Sequence, residues 1–83
     1  MSTKLFVGSL PWAVNDDTLK ETFKNYGNVV SARVVKDHQT NKSRGFGFVE
    51  METETEATAA IEALNGAQMN GRSIIVNEAK PKG

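Results

Sequence analysis

Cysteine is absent from this chain of 83 residues, which excludes disulfide bridges and thiolate metal sites. Its single histidine, His38, has no second histidine or cysteine with which to share a metal or a catalytic role. No apolar run approaches the ~20 residues that a membrane span requires, so no membrane partner is expected. We recognise no signal or transit peptide before the first predicted strand, and we expect a cytoplasmic protein, or a nuclear one in a eukaryote.

Aromatic residues are also scarce, but two of them alternate with small and aliphatic residues in the segment 44–51. A strand over this segment would present rings and charges on one face: Arg44, Phe46, Phe48 and Glu50. The opposite face would carry small and aliphatic side chains: Gly45, Gly47, Val49 and Met51. Two rings beside a cation suit the stacking of bases and the binding of phosphate.

The segment 4–8 alternates in the same way. Leu5 and Val7 would face the core, so Phe6 would lie outside with the two rings of the other strand, next to Lys4. Each ring can bury ~150–250 Å² in a contact. A contiguous patch of exposed rings therefore predicts a binding surface.

The remaining signals predict the order β-α-β-β-α-β, with strands at about 4–8, 29–36, 44–51 and 73–79. We therefore expect one α+β domain over residues 1–83, with its core at about 4–80. Two helices would cover one face of a four-stranded antiparallel sheet, which is a ferredoxin-like sandwich. The other face would stay open and carry the three rings.

Capping residues mark the ends of both predicted helices. Asn15 is expected to cap the first helix, and Gly27 to end it in a left-handed conformation. Thr53 and Glu56 have the spacing of a capping box before the second helix.

The net charge is zero, because ten lysines and arginines balance ten acidic residues. The predicted sheet face, its loops and the C-terminal tail nevertheless hold eight cations and three acids, whereas the helical regions hold two cations and seven acids. This distribution predicts one cationic and one acidic side. Ordinary solvated charge on both sides is the alternative.

The two alternating segments resemble the signatures of the RNA recognition motif family. Residues 44–50 match the octapeptide Lys/Arg-Gly-Phe/Tyr-Gly/Ala-Phe-Val-x-Phe/Tyr, and Met51 replaces its final aromatic residue. Residues 5–10 are similar to the family's hexapeptide, with Ser9 in place of asparagine. The resemblance covers about 4–80 and extends to small single-domain members from bacteria and to glycine-rich RNA-binding proteins.

The resemblance implies a monomer that binds single-stranded RNA without a cofactor; single-stranded DNA stays open as a ligand. The residues that it implies as RNA contacts are Lys4, Phe6, Arg33, Arg44, Phe46, Phe48, Asn77, Glu78 and Lys80. The rings would stack on bases, Arg44 would hold phosphate, and Asn77 with Glu78 would meet base edges. For Arg44 the alternative is an ion pair with Glu50 or another surface acid.

Two other functions stay open at this point. A member of this family can bind a peptide in place of RNA, on the aromatic sheet or on the acidic helical side. A small hydrolase, similar to acylphosphatases, can have the same order of elements, since fold does not fix function. We expect no enzyme, because the sequence has no phosphate-binding loop, no nucleophile–base pair and no metal set.

Overall fold

The computed structural model describes residues 2–11, 13–36, 39–40, 43–69 and 71–79, with the backbone alone at 43 and 44. The elements in chain order are β1 (Thr3–Gly8), α1 (Asp16–Lys24), β2 (Val29–Lys36), β3 (Ser43–Met51), α2 (Glu54–Leu64), β4 (Gln68–Met69), β5 (Arg72–Ser73) and β6 (Ile75–Glu78). The predicted β-α-β-β-α-β sandwich is confirmed. The short hairpin of β4 and β5 is an addition to it.

The main sheet has the strand order β2-β3-β1-β6, and every neighbouring pair is antiparallel. Both helices lie on one face. The core between the layers is formed by inward residues of the central strands, such as Leu5 and Val49, and by the buried residues of the helices, such as Phe23 and Leu64. Outward residues alternate with the apolar ones along each strand, and none of the described elements covers the opposite face.

Helix α1 begins as its cap residue predicts. The side-chain oxygen of Asn15 accepts a hydrogen bond from the Thr18 amide at 2.8 Å. The positive φ predicted for Gly27 is observed, at 157°, a backbone conformation that favours glycine, but α1 itself ends at Lys24 with Asn25 as its cap. A Cβ at Gly27 would lie 2.6 Å from the side chain of Glu56, so glycine serves a close packing contact there.

Helix α2 begins at the predicted cap, and its first turn also binds the backbone of Asn28, the residue before β2. The Thr53 hydroxyl oxygen accepts from the Glu56 amide at 3.2 Å, as a capping box requires. The Glu56 carboxylate accepts from the Thr53 hydroxyl at 3.0 Å and from the Asn28 amide at 2.8 Å. The reciprocal bond of the box is thus replaced by one that ties α2 to the neighbouring loop.

Strand β3 contains an irregularity that sequence alternation does not show. Val34 pairs with Gly47, but Lys36 pairs with Ser43, so three residues of β3 face a single residue of β2. Gly45 lies in this bulge with a φ of 85°, a conformation that favours glycine, and its carbonyl accepts from the Leu10 amide at 2.8 Å. Strict alternation therefore holds from 46 onward and does not extend back to residue 44.

Each outer strand of the sheet has one amide bonded to a side chain from elsewhere in the fold. On β2, the Val34 amide donates to Oδ1 of Asp16 at 2.7 Å. On β6, the Val76 amide donates to Oδ1 of Asn65 at 3.1 Å. The residues that begin α1 and follow α2 thereby fasten the helices to the two edges of the sheet.

The segment after α2 differs from the predicted single strand over 73–79. It first forms the hairpin β4–β5, in which Gln68 pairs with Ser73, and only then continues as β6. Ile74 and Val76 are buried and Ile75 is exposed, as alternation predicts. Among the helices of the described residues, none is long and apolar enough to cross a membrane.

Candidate nucleic-acid interface

One cross-strand row on the open face contains a residue from each of the four strands. Strand pairing sets Phe6 of β1 opposite Phe48 of β3 in the centre of the sheet. Arg33 extends the row beyond Phe48, and Asn77 extends it beyond Phe6. Since neighbouring strands are ~4.8 Å apart, these four residues span about 15 Å across the sheet.

The three phenylalanines of the open face form a compact cluster. Phe6 stacks on Phe46 with ring centroids 5.8 Å apart and an interplanar angle of 30°. Phe48 meets Phe6 edge-on at 5.9 Å and Phe46 edge-on at 6.2 Å. All three are partly exposed. These are the separations at which aromatic pairs attract, so the rings support one another in fixed orientations while keeping part of their surface accessible.

Gly8 and Ile75 extend this apolar surface toward the edge strand β6. The two residues pair directly, and Ile75 is 45% exposed. A Cβ at Gly8 would lie 2.9 Å from Cε2 of Phe6, so the ring occupies the space that a side chain at Gly8 would fill. The absence of a side chain therefore allows Phe6 to lie low against the sheet.

Charged groups flank the rings at one end of the sheet. The Lys4 ammonium lies 6.0 Å from the centroid of the Phe48 ring, within the range of a cation–π contact. Strand pairing sets Glu50 opposite Lys4, and its carboxylate accepts a hydrogen bond from the Ser2 hydroxyl. A cation and an acid thus lie side by side next to the aromatic cluster.

Two shallow depressions meet at this end of the sheet and share Lys4, Phe48 and Glu50 as a common wall. One extends to Glu78 and Ala79 on the β6 side, and the other extends to residues 31–33 of β2. A flat group placed on Phe48 would therefore have room on both sides for its edges.

The other residues that the sequence predicts as contacts are placed less simply. Glu78 pairs with the buried Leu5, so strand register places it on the face that packs against the helices. It is nevertheless exposed at the end of β6 and lines the first depression. The backbone of Arg44 belongs to β3, whereas its side chain lies outside the described residues, as does Lys80. The structure therefore brings together Lys4, Phe6, Arg33, Phe46, Phe48 and Asn77, with Glu78 at the margin.

Glu50 is the residue of this surface to which sequence reasoning assigns no contact role. Alternation puts it on the open face, where the only use suggested by the sequence is an ion pair with Arg44. Strand register adds that it adjoins both depressions and stands opposite Lys4. Register depends on pairing between distant segments, so no local pattern could have shown this.

Among the residues that the structure describes, no three His, Cys, Asp or Glu side chains come together as a group that could hold a metal ion.

The family follows from comparison with known proteins. Residues 5–75 match the family model of the RNA recognition motif. This match covers most of the chain and includes both signature segments, so the chain belongs to the RNA recognition motif family.

Relatives and solved structures agree with this membership. The chain is 49% identical over 82 residues to glycine-rich RNA-binding protein 2, mitochondrial, of Arabidopsis thaliana, covering 99% of this chain and 52% of the relative. It spans about half the length of the first curated relatives that it matches. The crystal structure of RNA binding protein PG1 is 44% identical with a TM-score of 0.92, covering 98% of both chains. An Sxl-lethal protein/RNA complex is 31% identical with a TM-score of 0.91, covering all of this chain (100%) and 50% of the other.

Proposed function

We propose that this domain binds single-stranded RNA by stacking bases on the Phe6, Phe46 and Phe48 rings of its open sheet face. The observation that carries the proposal is the position of this cluster. The rings are partly exposed in the middle of a sheet whose other face already packs against both helices. Such an accessible group of rings is the equipment with which this class of module holds unstacked bases.

The surroundings of the rings supply the other parts of a nucleic-acid site. Arg33 and Lys4 flank Phe48 and would contact phosphate, which positions the strand without reading its sequence. Asn77, opposite Phe6, carries an amide that can both donate to and accept from a base edge. Arg44, Glu78 and Lys80 complete the proposed set of contacts.

The names of the relatives support the same function. One is called an RNA-binding protein, and one similar structure is a complex with RNA. The proposal extends to a monomer that carries out no chemistry on the RNA, needs no cofactor and acts in the cytoplasm, or in the nucleus if the source is a eukaryote. Single-stranded DNA is a second ligand to test, because base stacking does not depend on the sugar.

The test is a fluorescence anisotropy titration with a short single-stranded RNA of randomised sequence, comparing two variants that each lose one accessible ring. Phe6→Ala removes a ring of the cluster and is expected to weaken binding by roughly 5- to 150-fold, the value of one stacked base. Tyr26→Ala removes a ring that is 37% exposed in the turn after α1, away from the cluster, and is expected to leave binding unchanged.

If Phe6→Ala and Tyr26→Ala changed the affinity equally, the open sheet face would not be the binding site. Absence of RNA binding by the parent domain would instead favour a peptide as the ligand of the rings. The same titration with DNA of identical sequence measures how much of the affinity depends on the 2′-hydroxyl groups.

A further inference from the structure

Glu50 places a negative charge on the surface that is proposed to bind RNA, which is itself negatively charged. It is partly buried on the open face, in the strand that carries two of the three rings. A carboxylate here repels an approaching phosphate, which lowers the affinity that the neighbouring Lys4 provides. This loss of affinity would be offset if the carboxylate bound a hydrogen-bond donor of the RNA.

Within the described residues, the contacts of Glu50 are with a cross-strand neighbour and an N-terminal hydroxyl. Lys4, its cross-strand neighbour, directs its ammonium over the Phe48 ring. The Ser2 hydroxyl donates to Oε2 of Glu50. Among the described residues no hydrogen-bond donor is recorded at Oε1, and this carboxylate borders both depressions beside Phe48.

We propose that Glu50 is a specificity-determining residue, which accepts a hydrogen bond from the amino group of the base stacked on Phe48. The inference rests on the proposed function and adds a class of preferred base to it. An ionised carboxylate can only accept hydrogen bonds. Cytosine, adenine and guanine each offer an exocyclic amino group, whereas uracil carries an oxygen at the position of the cytosine amino group. Uracil still has a ring N3–H donor, but the carbonyl oxygens on both sides of it repel a carboxylate, so the site favours bases that carry an amino group over uracil.

The position of the depressions explains why the base edge, and not its face, meets the acid. A base lying flat on Phe48 points its edges along the sheet, and the adjoining residue on the same face of β3 is Glu50. The Ser2 hydroxyl donates to one oxygen of this carboxylate. An ionised carboxylate can accept several hydrogen bonds, so it can also accept one from a base edge.

The experiment measures a ratio of affinities, so that a uniform change of charge cancels. Labelled nonamers of cytidine, of uridine, and of a cytidine analogue lacking the 4-amino group are titrated against three proteins. These are the parent, Glu50→Gln, and the charge-matched control Glu62→Gln on the exposed surface of α2. Each glutamate-to-glutamine change removes one negative charge, and this loss of charge by itself raises affinity for all three RNAs alike.

The parent is expected to bind the cytidine nonamer on the order of tenfold more tightly than either of the others, within the range of a good base contact. Glu50→Gln should bring this ratio close to one, because its amide can donate to uracil as readily as it accepts from cytosine. Glu62→Gln should keep the parent's ratio. The comparison of cytidine with its analogue uses only the parent protein, so it tests the role of the amino group even if Glu50→Gln folds poorly.

A ratio near one in the parent, a preference for uridine, or a ratio that Glu50→Gln leaves intact would each overturn the inference. None of these three outcomes would contradict the proposed binding of RNA. Failure of the parent to bind any nonamer would contradict the proposed function instead, so the two can be told apart.

Discussion

Replacement of Phe48 by alanine separates the binding role of the aromatic cluster from its structural role. Phe48 makes two edge-on ring contacts, to Phe6 and to Phe46. Aromatic pairs are worth about 0.5–1.5 kcal/mol each, so the loss of two gives a stability cost of about 1–3 kcal/mol. Loss of one stacking platform is expected to cost a further ~1–3 kcal/mol of binding free energy, or roughly 5- to 150-fold in affinity.

Both quantities can be measured on the same protein. Thermal melting measures the loss of stability, since 1 kcal/mol shifts the melting temperature of a domain of this size by about 4–8 °C. RNA titration well below the melting temperature measures the loss of binding free energy. Phe48→Tyr is the matched control, because it keeps a ring at this position and is expected to retain binding. Equal affinity of Phe48→Ala and the parent would refute the stacking role, and a stability loss above ~3 kcal/mol, the range for a ring deleted from a core, would place Phe48 inside.

Three further substitutions test other parts of the structure. Val49→Ala, at a fully buried position on the opposite face, should cost about 1–3 kcal/mol of stability and leave the affinity of the folded protein unchanged; reduced binding at unchanged stability would mean that the faces are reversed. Arg33→Ala should weaken binding to unrelated RNAs alike and lower the slope of log affinity against log salt by about 0.7; a loss confined to one RNA would show that Arg33 reads a base. Gly45→Ala forces a side chain into a φ of 85° and should destabilise the fold by roughly 1–2 kcal/mol; an unchanged melting temperature would show that the bulge relaxes.

The sequence predicts the elements and the two faces well, because both depend on local physics. Alternation identifies the inward Leu5 and Val7 and the outward Phe6 within a few residues. The caps of α1 and α2 lie where Asn15 and Thr53 predict them. The ring cluster could therefore be anticipated, since each of its members lies on a strand whose parity is readable.

The parts that could not be predicted depend on pairing between distant segments. The bulge at Gly45 is defined by how β3 meets β2, and the two-residue strands of the β4–β5 hairpin are too short to show any period. The row from Arg33 to Asn77, and the position of Glu78 opposite Leu5, likewise follow from register. The sequence thus predicts the exposed rings of the candidate site, whereas their arrangement and the place of Glu50 opposite Lys4 follow only from register.

The two side chains that bond to the outer strands have a consequence for self-association. An open antiparallel sheet offers its edges as templates for strands of other molecules, which is a route to aggregation. Here the Val34 and Val76 amides are already bonded to Asp16 and Asn65, so an incoming strand would have to break a bond at either edge. The fold therefore hinders growth of the sheet at its sides while its ring-bearing surface stays accessible from above.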